Sequence, residues 1–382
     1  MKKPKIESSK LLLTTTTILL VISYLLPEVW AQSYSHSYQL LNQPNGSTYY
    51  RLNVTVQQSL YEYYNEKSHV LNSNNDFAKF VTPYAVAPIA DSLWRIYTDD
   101  EDFVNGVLMI VHQIPYEATT PAKYPVETLV ENKGDCDLFS YIVASIIKAG
   151  GLDAVLLYYD SQAHMNIGVS LSHTPRDSRE PAYYVTYNQT EYYIAECTGG
   201  NWQDGWRVGE CPDDLKQASM QVITLENCEQ WAPGQVSASY KTLESSTISL
   251  TVSPTFLIQS GMVTLYGQLS PILQNKTLTV YIKMNNSPWI ALGTVTTDFM
   301  GQFEYIWNAE TAGICYIRVS WSGDEDYAGA DSRIQTLTIL STFFVLLIAI
   351  TAILVCVGLI IFLTSRQTQP GFQEPVPPEI PY

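Results

Sequence analysis

Cys136, His164 and Glu196 have the types and the chain order of a nucleophile, a base and an orienting acid. A thiol beside an imidazole can attack acyl carbon, and a carboxylate behind the imidazole fixes its tautomer and stabilises its cation. Local patterning predicts where each would sit. Asn132-Lys133-Gly134 reads as a turn and Asp135 as a helix cap, and Leu138, Ile142, Val143, Ile146 and Ile147 recur at helical spacing as far as Gly150-Gly151. Cys136 then falls in the first turn, where unpaired N–H groups and the helix dipole favour a thiolate and can hold a developing oxyanion.

The elements that must position the other two follow. Leu152 to Tyr159 is a dense apolar run that predicts a strand buried on both faces. His164 opens the next strand, in which Met165, Ile167, Val169 and Leu171 face one way and His164, Asn166, Gly168 and Ser170 the other. Tyr183 to Tyr187 and Tyr192 to Cys197 flank Asn188-Gln189-Thr190-Glu191, the pattern of a hairpin that would bring Glu196 beside His164.

This order of Cys at a helix start, His at a strand start and acid at a later strand end resembles the transglutaminase-like superfamily, whose fold is related to papain. The resemblance runs over roughly 76–225 and rests on Gln113-Ile114-Pro115-Tyr116, Tyr124-Pro125-Val126-Glu127-Thr128-Leu129, Gly134-Asp135-Cys136-Asp137, His164-Met165, Glu196-Cys197-Thr198 and Trp206-Arg207-Val208-Gly209. It implies an α+β core with a central helix on an antiparallel sheet, and a thiol enzyme acting on amide bonds. The chain departs from the family in having Glu196 where Asp is usual, and Met165-Asn166 where an aromatic residue often follows the His. An aromatic or amide donor to the oxyanion has three candidates, Trp94, Gln113 and Tyr116.

The 382 residues leave room for more than this core. Lys2, Lys3, Lys5 and Lys10 precede the apolar run 11–26, and Val29-Trp30-Ala31 offers small residues for cleavage, so 1–31 reads as a signal peptide. Phe343 to Leu363 is an uncharged apolar run long enough to cross a bilayer as a helix, with Arg366 just beyond it. Both features place the bulk outside the cell membrane on a single-pass anchor. The resulting division is a catalytic domain at 32–235, a linker at 236–246, an all-β immunoglobulin-like sandwich at 247–340 read from short alternating strands, a membrane helix at 341–364 and a Pro-rich cytoplasmic tail at 365–382.

An outside location predicts glycosylation at the sequons of Asn45, Asn53, Asn188, Asn275 and Asn285. It also predicts that some of Cys197, Cys211, Cys228 and Cys315 pair, Cys197 with Cys211 first and Cys211 with Cys228 next. No Cys or His pair has a ligand spacing, so no metal or other cofactor is expected, and Asp324-Glu325-Asp326 reads as a solvated turn rather than a Ca2+ loop. Residues 1–31 hold four Lys and two Glu; without them the 21 basic and 37 acidic residues become 17 and 35, a balance of −18. Such a surface repels nucleic acid and anionic lipid. The expected substrate is a protein, a peptide or a cell-surface polymer. The competing class is a surface binding or adhesion protein that keeps the fold without the chemistry.

Overall fold

A computed structural model of the chain describes residues 33–367. The 1–31 segment and the tail from residue 368 onward lie outside the described residues. Strands β1 (Ser33–Leu41) and β2 (Tyr49–Gln57) form an antiparallel pair in continuous register from Ser33↔Gln57 to Leu41↔Tyr49. Helix α1 (Gln58–Asn65) follows β2 directly, and α2 (Pro83–Leu93) opens with Pro in its first turn, where the missing N–H costs nothing. In α3 (Asp100–Val111) Asp99 caps the helix by accepting from Glu101 N, and three acids fill the first turn beside the positive end of the dipole.

Helix α4 (Pro125–Glu131) stops at Asn132, which takes the left-handed conformation that ends helices, and α5 (Cys136–Ala149) starts four residues later. Every residue of α5 from Leu138 to Ile147 is buried. It packs against β3 (Ala154–Tyr159) and β4 (His164–Val169), which with β5 (Tyr184–Tyr187), β6 (Thr190–Ala195) and β7 (Gln221–Thr224) make an antiparallel sheet of order β5-β6-β4-β3-β7. A short helix, α6 (Asp213–Lys216), precedes β7. The sheet has two apolar faces. Met165, Ile167 and Cys197 face the helices, whereas Val155, Leu157, Ile194 and Cys211 form a separate cluster on the far side.

That division corrects the disulfide expectation. Cys197 and Cys211 lie in different cores with the sheet between them, Cys228 shares the core of Cys197, and all six cysteines are free thiols. The linker expectation also changes, because Ser237–Ser239 forms β8 and pairs with β2. A strand in register with residues some 180 positions earlier is part of the first unit and not a hinge.

The remaining strands build two sheets around a second core. The first is β9 (Thr247–Ser253), β11 (Gly261–Ser270) and β14 (Gln302–Ala309), in the order β14-β11-β9. The second takes β10 (Phe256–Ile258), β12 (Thr277–Met284), β13 (Ile290–Thr296), β15 (Gly313–Gly323), β16 (Ala328–Asp331) and β17 (Gln335–Leu340), in the order β10-β17-β15-β12-β13 with β16 on β15. The pairing is antiparallel except that β10 runs parallel to β17, because the chain crosses from one sheet to the other at Pro254-Thr255. The chain is thus α+β with antiparallel sheets, and it ends in α7 (Thr342–Gln367). Thr342–Ile361 has a mean hydropathy of 3.2 and is long and apolar enough to cross a membrane.

The two units meet across a dense polar seam. Arg318 of β15, 2 % exposed, stacks 4.1 Å from the Trp289 ring and pairs with Glu62 of α1 at 2.7 Å. Asp331 of β16 accepts from Ser59 N at 2.8 Å, and Ser59 Oγ meets Ser320 Oγ at 2.8 Å. Glu66 accepts from Lys283 Nζ and from Trp289 N, at 2.6 and 2.7 Å. At the exposed rim the acidic turn takes part, with Glu325 on Arg95 and Asp326 on Lys241. Polar groups at this depth are costly unless matched, and these contacts match most of them, leaving Arg318 Nε and Asp331 Oδ1 without a partner.

Candidate active site

Cys136 is the first residue of α5, and its Sγ lies 3.8 Å from the carbonyl oxygen of Ala163, immediately before β4. Ala163 adopts a left-handed backbone (φ 46°), a conformation that a residue with a Cβ holds only under constraint, and it turns the chain so that β4 begins on His164 beside the thiol. His164 Nε2 is 3.0 Å from Glu196 Oε2. The other ring nitrogen is thereby left unengaged by Glu196, and Cys136 is near enough to act on the charge of the ring.

Glu196 follows β6 and is fully buried. Both of its oxygens are supplied with donors. Oε2 accepts from His164 and from Asn166 Nδ2 at 3.1 Å, and Oε1 accepts from Thr198 N at 2.9 Å and from the Thr198 hydroxyl. Burial alone would push the Glu196 carboxyl up, but the bonds from His164 and Thr198 outweigh it and hold the group below its ordinary value. Burial likewise works against a charged His164, yet the hydrogen bonds and charges of Cys136 and Glu196 prevail and raise its pKa to about 10. The ring is therefore an imidazolium at neutral pH, held between two acceptors.

Asp135 does not cap α5. Its Oδ2 accepts from Thr119 N at 2.7 Å and so anchors the 115–119 segment over the helix start, while its Oδ1 is buried without a donor. Burial first, then the hydrogen bond and charge of Asp135, raise the neighbouring Asp137 to about 8. The Asp137 carboxyl is therefore largely protonated at neutral pH.

A cavity of about 350 Å³ lies between the 112–116 segment and Gly199-Gly200, lined also by Phe139 of α5; Cys136, His164 and Glu196 are not part of its lining. The three oxyanion candidates separate here. Trp94 Nε1 donates to Gly150 O at the opposite end of α5, about 20 Å from Cys136 by helix rise, so it is not at the site. Gln113 lines the cavity, but its amide is committed to Gln39 N, Gln39 O and Met109 O. Tyr116 is the exposed one; its ring meets Phe139 edge-on, and its hydroxyl is raised by burial and by the nearby charge of Cys136.

Asn166, Thr198 and His112 complete the site, though sequence assigned none of them a role there. His112 Nε2 lies 3.1 Å from Glu196 O, and burial lowers its pKa, so it supports the acid as a neutral ring. Asn166 could have been found from strand alternation, two residues after His164, whereas nothing in the sequence pointed to His112. Of the sequon residues, Asn45, Asn188, Asn275 and Asn285 occupy exposed left-handed turns. Asn53 lies within β2, with Oδ1 accepting from Ser37 and Nδ2 donating to Lys241 O. Among the described residues one cluster, Asp99, Asp100 and His173, has side chains close enough to share a cation. Arg176 already binds Asp99 there, at 2.9 Å.

A scan against protein-family models matches none of them, and no curated protein matches the chain.

Proposed function

We propose that the chain is a membrane-anchored, outward-facing thiol enzyme of transglutaminase-like fold that cleaves or transfers amide acyl groups, with an immunoglobulin-like module between catalytic unit and anchor. The observation that carries this reading is the fully buried, fully donor-supplied Glu196 holding a protonated His164 against Cys136. A structural histidine has no need of so complete a carboxylate cradle behind it.

In the first half-reaction Cys136 Sγ bonds to the amide carbonyl carbon and the carbonyl electrons move to oxygen. Cys136 N–H and the Tyr116 hydroxyl are the donors assigned to that oxyanion. As the oxyanion collapses the C–N bond breaks, and the His164 proton passes to the leaving amine. In the second half-reaction water or a primary amine attacks the thioester carbon, His164 takes its proton, and the C–S bond breaks to restore the thiolate. Glu196 stays ionised throughout and keeps the ring in place. The 350 Å³ cavity offers room for a side chain or a short chain segment of the acyl donor.

The test is to incubate the full-length protein with a glutamine-rich protein and a tagged primary amine, beside Cys136→Ser. Tag incorporation that depends on Cys136 identifies transfer to amines. Ammonia or peptide release without the tag identifies hydrolysis. If wild type and Cys136→Ser are alike in every product, the enzyme reading fails and the surface-binding class takes its place.

A further inference from the structure

We propose that the end of the β-sandwich next to α7 is itself seated in the lipid interface through an apolar row formed by Phe256, Ile258 and Ile314; this rests on α7 spanning the membrane. The chain leaves β17 at Leu340 and enters α7 at Thr342, and Val345 N already donates to Ser341 O at 3.1 Å. A link of one residue spans about 3.5 Å. With α7 in a bilayer, this end of the sandwich has no room to stand clear of the headgroups.

The side chains there suit such a contact. Phe256 is 57 % exposed, and Ile258 and Ile314 are each 45 % exposed. Register puts them side by side, because Phe256 pairs with Thr338, Thr338 with Ile314, and Ile258 with Leu340. They alternate with Leu257, Leu337 and Cys315, which fill the core, so all three project from the outer face of one sheet. Met262, 66 % exposed at the start of β11, continues the apolar surface onto the second sheet. An apolar row in open water gains from a cover, and the cover adjacent to this one is the bilayer that holds α7. Residues 254–262, 308–316 and 335–341 contain no Lys or Arg, and Glu310 is their one charge. The contact is therefore with the acyl and glycerol zone, as for an interfacial apolar face, and does not draw on anionic headgroups.

Spin labels on the full-length protein in phosphatidylcholine nanodiscs test this. The accessible thiols are first removed with Cys136→Ser and Cys356→Ala, and a single cysteine is then placed by Ile258→Cys, by Thr277→Cys at the other end of the sandwich, or by Ile350→Cys within α7. The expected result is that the labels at 258 and 350 collide more with oxygen than with a nickel chelate, and the label at 277 the reverse. Adding phosphatidylglycerol or salt should leave that order unchanged. A label at 258 as open to nickel as the one at 277, with 350 in lipid, overturns the seated row and leaves the anchor intact. A label at 350 open to nickel overturns the anchor and the row together. A response at 258 that appears only with anionic lipid also overturns the proposal.

Discussion

Glu196→Gln is the substitution that bears most directly on the site. In the native protein Oε2 receives two donors, from His164 and Asn166, and Oε1 receives two from Thr198. A glutamine has one acceptor oxygen, so its amide NH2 must face donors on one side or the other. If the amide oxygen stays on Thr198, His164 loses a charged acceptor at 3.0 Å, an interaction worth about 1.5–3 kcal/mol. At about 1.4 kcal/mol per pKa unit the imidazolium should lose its proton roughly one to two units earlier. The native value of about 10 then becomes about 8 to 9. The assay is the rate of Cys136 alkylation by iodoacetamide as a function of pH in the Cys356→Ala background. Deprotonation of His164 removes the positive charge facing the sulfur and leaves an upper inflection in the rate, near pH 10 in the wild type. The inflection should move down by one to two units in Glu196→Gln and vanish in His164→Ala. An inflection near pH 10 in Glu196→Gln, or none above pH 7 in the wild type, refutes the argument. The sign for stability follows from the same shift. Because His164 is raised in the folded state, its stabilising contribution is complete below its ordinary value near 6.5 and is lost as the pH climbs through about 10.

Three further outcomes are expected. Arg318→Ala leaves Glu62 without its ion-pair partner and empties the space on the Trp289 ring, and should cost about 3 kcal/mol, read as a lower melting temperature and as new protease cuts between the two units; unchanged cutting would mean that the seam is not what joins them. Thiol titration with a water-soluble reagent should find Cys136 in the native protein in lipid and all six cysteines after unfolding without reductant; fewer than six would restore a disulfide. Expressed in a glycosylating host, the chain should carry glycan at Asn188 and Asn275 and none at Asn53, whose amide is bonded on both sides; peptide mapping that finds glycan at Asn53 would require β2 to open.

What could be read from the sequence was local. The apolar spacing after Asp135 marks α5, the alternation after His164 marks β4, and Asn188-Gln189 marks the turn between β5 and β6. What could not be read depends on partners distant in the chain. Asp135 has the right type and place for a cap, but Thr119, sixteen residues earlier, takes its carboxylate. Residues 236–246 have linker composition, yet three of them find β2, because edge pairing depends on which strand is unpaired and not on propensity. Cys197 and Cys211 are close in sequence, and only the sheet's two faces, invisible to spacing, keep them apart. Trp94 is suitable in chemistry but lies at the wrong end of the helix, which helical periodicity cannot tell.

The seam around Arg318 has a consequence for how such an enzyme would meet its substrate. A catalytic head on a loose tether explores a hemisphere, and its effective concentration toward any one target falls as that volume grows. The seam joins head and sandwich as one body, so on the proposed reading the distance from the cleft to the start of α7 is set by the fold and not by a tether. On that reading the flexibility needed for an encounter comes from the linkage to α7 or from the substrate, not from the joint between head and sandwich.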